Sequence, residues 1–182
     1  MNTLKAIQVL SKIGKILSKI VYICCIVGFC SCIVGYISVI IGAESLKLGG
    51  VTLNSILKVE AGVTVGTVYA ALAVGMILCA GEAVLSGFAA HYFKRELNDG
   101  TPFSLDGAKE LLRLGILTIC IPLGTQIVAA IVYSVIENRF EITEPFSIDN
   151  SVSVSLGVMF IIISLICKYG AEQQLQKAQA ES

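Results

Sequence analysis

Four stretches of the chain, Ile16–Ile41, Val63–Ala90, Leu114–Ile136 and Val152–Cys167, are apolar almost without interruption. A helix on the surface of a soluble core turns a polar face to water, whereas these segments carry apolar residues around most of their circumference. Each is near or above the roughly 17–25 residues that cross a bilayer as a helix. In lipid the backbone polar groups must be satisfied internally, and a helix does this within one segment. The pattern therefore predicts an all-α integral membrane protein, a single domain built as a bundle of four transmembrane helices.

The opening segment, MNTLKAIQVLSKIGKILSKI, has a different pattern. At about 100° per residue, Lys5, Lys12, Lys15 and Lys19 fall within roughly a quarter of the helical wheel. Ile7, Val9, Leu10, Ile13, Leu17 and Ile20 take much of the opposite half. This predicts an amphipathic interfacial helix over residues 1–20 that precedes the first span and runs into it. Its lysine stems would follow the apolar boundary and its ammonium groups would meet anionic lipid headgroups. The same lysines also suffice simply to enforce topology. No small-x-small cleavage site follows a short apolar region, so the start is expected to remain uncleaved.

Composition agrees with the pattern: 55% of residues are hydrophobic and 14% charged, with a mean hydropathy of +0.85. The net charge of zero gives no reason to expect direct nucleic-acid binding. The placement of charge is more informative. Lys5, Lys12, Lys15 and Lys19 precede the first span, Lys94, Arg95, Lys109 and Arg113 surround the second connection, and Lys168 and Lys177 follow the fourth span. The other side receives only Lys47, Lys58 and Arg139, together with Glu44, Glu60, Glu137, Glu141, Glu144 and Asp149. The positive-inside rule then puts both termini and the second loop in the cytoplasm, and the first and third loops outside.

Small residues indicate how the helices meet. Gly28, Gly35 and Gly42 recur every seven positions in the first span, and Ala71, Gly75, Cys79, Ala83 and Gly87 every four in the second. Such stripes let backbones approach closely, which drives association in lipid. Packing within one chain is the preferred reading, and a homo-oligomer is compatible with it. Pro122 and Gly124 interrupt the third span, and the missing N–H of Pro122 predicts a kink that frees a carbonyl near Thr118. The seven cysteines, Cys24, Cys25, Cys30, Cys32, Cys79, Cys120 and Cys167, all fall inside spans, which argues against a disulfide framework. They read as small, soft packing residues.

Glu82 is the acidic residue that lies well inside a span. An ionised carboxylate there costs roughly 2.5–3.5 kcal/mol on insertion scales, so it is expected to face protein or water, or to be protonated. It stands about 60° from the small-residue stripe, near the expected interhelical face. Its candidate partners are Gln126 and Thr125 beside the kink, Ser31 or Ser38 of the first span, and Arg113 at the cytoplasmic edge. A proton or cation site and a protonated carboxyl used for packing both remain open.

Other chemical signatures are weak or missing. Ser55-Ile56-Leu57-Lys58 matches S-x-x-K, but neither S-D-N nor K-T-G accompanies it. Gly14-Lys15 lacks the flanking residues of a phosphate loop, and no H-E-x-x-H or G-x-S-x-G occurs. His91 is the single histidine and no C-x-x-C pair is present, so no metal, cofactor or catalytic residue is assigned.

The second connection, His91–Gly115, is more distinctive. Asn98-Asp99-Gly100 signals a turn, Pro102 blocks helix continuation, and Ser104 can cap the next helix with Asp106 in its first turn. The pattern Y-F-K…L-x-x-G-x-P-F-S followed by A-x-x-L-x-x-x-G resembles the YoaS-like family of bacterial four-helix membrane proteins. So does Lys168-Tyr169-Gly170-Ala171-Glu172 after the last span. The resemblance implies a multi-pass protein of the bacterial cytoplasmic membrane, often encoded beside a small helix-turn-helix regulator, with no established activity and no catalytic residues to carry over.

The expected role is that of a non-enzymatic interaction or regulatory protein. Its cytoplasmic face would comprise the basic N-terminal helix, the Phe93–Leu112 connection and the polar tail Glu172–Ser182. Membrane lipids and a protein on that face are the expected partners. The tail is helix-prone and reads equally as a frayed extension of the last helix. The alternative is a small transporter or channel subunit using Glu82, Gln126 and the kinked third helix. With four spans and no clear inverted repeat, it would need to oligomerise.

Overall fold

The computed structural model describes residues 3–41, 47–48, 51–52, 65–99, 104–140, 142 and 151–180. Four helices dominate: α1 (Thr3–Ile41), α2 (Val65–Asp99), α3 (Leu105–Glu137) and α4 (Ser151–Ala180). Between α1 and α2, β1 (Lys47–Leu48) pairs antiparallel with β2 (Val51–Thr52). The loop positions Glu44, Lys58, Glu60, Glu144 and Asp149, the stripe residue Gly42 and the turn residues Gly100 and Pro102 lie outside the described residues.

Every helix is long and apolar enough to cross a membrane, over Gln8–Ile40, Gly66–Asn98, Leu105–Glu137 and Ser151–Lys177. Apart from the short β1–β2 pair the elements among the described residues are helical, and their four long apolar helices make the chain a multi-pass membrane protein. Its apolar side chains are turned outward to match: Ile23, Ile127, Ile131, Val135 and Ile166 are each exposed. In water this surface would be prohibitive, whereas against lipid it carries no hydrophobic cost.

One expectation needs correction. The amphipathic segment is not a separate element before the first span, because residues 3–41 form one unbroken helix. An apolar arc shared by both parts gives the chain no reason to break between them. The third helix keeps helical structure from Leu105 to Glu137, with Pro122 inside it. A transmembrane helix tolerates a missing N–H where neighbouring groups satisfy the freed carbonyl.

The chain forms two compact units. The first comprises Met1–Ile23, Glu82–Leu123 and Asp149–Ser182. Here α3 and α4 meet backbone to backbone. A methyl group at Gly115 would stand 3.0 Å from the Gly157 carbonyl oxygen, and one at Gly157 would stand 2.9 Å from that of Gly115. Further along, the Ser164 hydroxyl donates to the Ala108 carbonyl at 2.7 Å. Ala108, Leu111 and Thr118 are all buried on this face of α3, so the A-x-x-L-x-x-x-G pattern marks a packing seam. At the start of α1, Gly14 lies under the Phe93 ring, and the Ser11 hydroxyl hydrogen-bonds the Glu96 carboxylate.

The second unit comprises Cys24–Gly81 and Gly124–Ile148. The two small-residue stripes interlock within it. Gly28 faces the Cys79 sulfur and Gly75 faces the Cys32 sulfur, each with room for a methyl only 3.1 Å from Sγ. Gly35 receives the Leu72 side chain. Tyr36 meets Tyr69 edge-on at 5.3 Å, and Tyr69 stacks on Phe140 at 5.8 Å. These contacts bear out the expectation of packing within one chain, and the cysteines are free thiols.

Candidate functional site

The second connection places charge where α2 ends and α3 begins. Ser104 caps α3, its hydroxyl oxygen accepting from the Gly107 N–H at 2.9 Å, with Asp106 in the first turn. Arg95 on α2 bridges to Glu110, and its second nitrogen approaches Asp106 at 3.9 Å. Lys109 also reaches Asp106, at 4.0 Å. The pairs Arg95–Glu110 and Phe88–Arg113 descend α2 as they ascend α3, so the two helices run antiparallel there.

Below this charged clip lies a cleft of about 480 Å³, open to the outside and formed by α1, α2 and α3 of the first unit. Its α2 wall is a single face. Ala83, Val84 and Gly87 supply the apolar part and His91 and Tyr92 the polar end. The small side chains at Ala83 and Gly87 leave the volume open. From α3, Leu114 and Leu117 complete the apolar part, and Glu110 and Arg113 stand at the mouth. The Arg113 guanidinium carbon lies 5.5 Å from the centre of the Phe88 ring, a cation–π geometry. Among the described residues the Arg113 guanidinium forms no salt bridge.

The sequence-predicted residues fall out as follows. Arg113 lines the cleft, but Glu82 does not and is exposed on α2 beside buried Gly81 and Ala83. The sequence reading places Glu82 near the interhelical face, and within this single chain its side chain is exposed. A four-residue stripe advances about 40° per step around a helix, and at Ala83 it stands about 100° from Glu82. Arg113 meets Phe88 instead of Glu82. Thr125 and Gln126 are half-buried in the second unit, and each is engaged by a partner. Of the four N-terminal lysines, Lys5, Lys12 and Lys19 are exposed and Lys15 is half-buried.

The cleft itself escaped sequence reasoning. Its residues come from three helices, and their common signal, small residues at Ala83 and Gly87 opposite a basic helix start, reads first as packing. Among the described residues no cluster of three or more histidine, cysteine or acidic side chains could hold a metal ion. No protein-family model, curated protein or solved structure matches the chain.

Proposed function

We propose that this chain is a non-enzymatic protein of the bacterial cytoplasmic membrane that acts through protein interaction at its cytoplasmic face. One observation carries the reading. The helices run past their apolar spans at the end holding the second connection, and there their polar residues are organised. Arg95, Glu110 and Asp106 clip α2 to α3, Ser11 bonds to Glu96, and Lys168 approaches Glu172 at 3.9 Å. Helices that served only to anchor would have no need of these charge pairs between α2 and α3. The basic asymmetry of the sequence assigns this end to the cytoplasm, and the resemblance to YoaS-like proteins points to a bacterial setting. A transporter reading would draw support from Glu82 in a water-lined space, and its exposed place outside the cleft gives none.

The test is site-specific photo-crosslinking in living cells. A photoreactive residue at exposed Lys109 or Lys168 should yield a discrete protein adduct, and one at apolar Ile131 or Val135 should not. No adduct at Lys109 or Lys168, together with an ion flux in reconstituted vesicles that Glu82→Gln abolishes, would overturn the proposal in favour of a channel.

A further inference from the structure

We propose that the cleft beside Arg113 is a binding site for an anionic phospholipid, holding the phosphate at its mouth and the start of an acyl chain along its apolar floor. This inference concerns occupancy of the cleft and does not depend on the interaction role proposed above.

Charge complementarity is the first support. Of the groups at the mouth, the Glu110 carboxylate is already neutralised by Arg95. That leaves Arg113, with exposed His91 and half-buried Tyr92 lining the same cleft. Guanidinium donors match phosphate oxygens in a planar fork, and the Arg113 cation lies at the mouth 5.5 Å from the centre of the Phe88 ring.

Level is the second support. Arg113 directly precedes the apolar run that begins at Leu114, and His91 directly follows the one that ends at Ala90. The mouth therefore stands where helices leave hydrocarbon for the headgroup region. A basic pocket between helices at that depth is suited to an anionic headgroup.

Shape and polarity are the third. A volume of about 480 Å³ lies within the range of small-molecule sites, and the floor of Ala83, Val84, Leu114 and Leu117 offers no polar partner. A free phosphate would leave that floor wet and unused. A lipid uses both parts, with headgroup on cation and methylenes on leucine and valine.

Native mass spectrometry of the delipidated full chain in mild detergent tests the site. The probes are phosphatidylglycerol, phosphatidylcholine and soluble glycerol phosphate. The parent should retain phosphatidylglycerol at least tenfold more tightly than phosphatidylcholine and bind glycerol phosphate far more weakly. Arg113→Gln should erase the preference between the two lipids. Val84→Trp, which fills the floor without touching the cation, should weaken both lipids about tenfold and leave any glycerol phosphate binding unchanged. A parent that holds the two lipids equally would overturn the proposal, as would Arg113→Gln and Val84→Trp variants that both bind as the parent does. Glycerol phosphate binding as tight as that of the lipid would also overturn it, showing a site for a soluble phosphate compound instead.

Discussion

Gly115 and Gly124 sit on one helix in opposite surroundings. A methyl group at Gly115 meets the Gly157 carbonyl and the Ile161 backbone nitrogen at 3.0 and 3.1 Å, and backbone atoms cannot step aside as a side chain can. At Gly124 nothing lies within 4 Å. Gly115→Ala should therefore cost about 1–3 kcal/mol through overpacking. Gly124→Ala should be neutral or gain up to about 1 kcal/mol from the better helix propensity of alanine. Thermal unfolding of both variants in one detergent checks this, and equal midpoints for Gly115→Ala and the parent would show that α3 and α4 do not approach so closely. Legibility in the sequence differed between the seams. Gly28, Gly35 and Gly75 were readable because their neighbours repeat at fixed intervals. Gly157 was missed because its series, Gly157, Ser164 and Ala171, mixes three residue types, although the seven-residue spacing was there to be read.

At the scale of elements, the start of α3 was legible because cap chemistry is local. Ser104 and Asp106 act as their positions require. The Arg95 clip was not legible, since it depends on the antiparallel register of two helices. Arg95 and Glu110 are partly exposed, with 42% and 27% of their side-chain surfaces accessible. Water therefore screens the pair, and its loss should cost no more than about 1 kcal/mol. Ser104→Ala, which removes the cap, should cost about the same. For Arg95→Ala we expect the midpoint of global unfolding to stay near that of the parent while amide hydrogen exchange rises over residues 94–113, because opening is local. Faster exchange spread evenly through all four helices would show that the clip supports the whole fold. The N-terminal segment teaches a related point. Its wheel was read as two faces, lysine and isoleucine, but the seam runs along one edge of the apolar arc. Ser11 and Gly14 pack on α2 there, leaving both Lys12 and Leu17 exposed.

For the molecule as a whole, the four spans were legible because hydropathy over a bilayer width is a sum over many residues and survives local error. Helices of 39, 35, 33 and 30 residues measure about 45–58 Å at 1.5 Å per residue, against a hydrocarbon thickness of about 30 Å. Each must emerge from the apolar layer. The polar overruns, at the start of α1, the end of α2, the start of α3 and the end of α4, all belong to the first compact unit. Ten of the chain's basic residues lie at or beyond these ends and three on the opposite side. Because lysine and arginine near span ends resist translocation, the first unit's polar end should face the cytoplasm. Cysteine substituted at exposed Asn138, just past α3, should react with a membrane-impermeant maleimide on intact cells. Cysteine at exposed Lys109 should react only after permeabilisation, with the unsubstituted chain giving the background from native thiols. Labelling of the Lys109→Cys variant on intact cells would invert the topology. It would place the charged clip outside, and a cytoplasmic partner docking there would then be impossible.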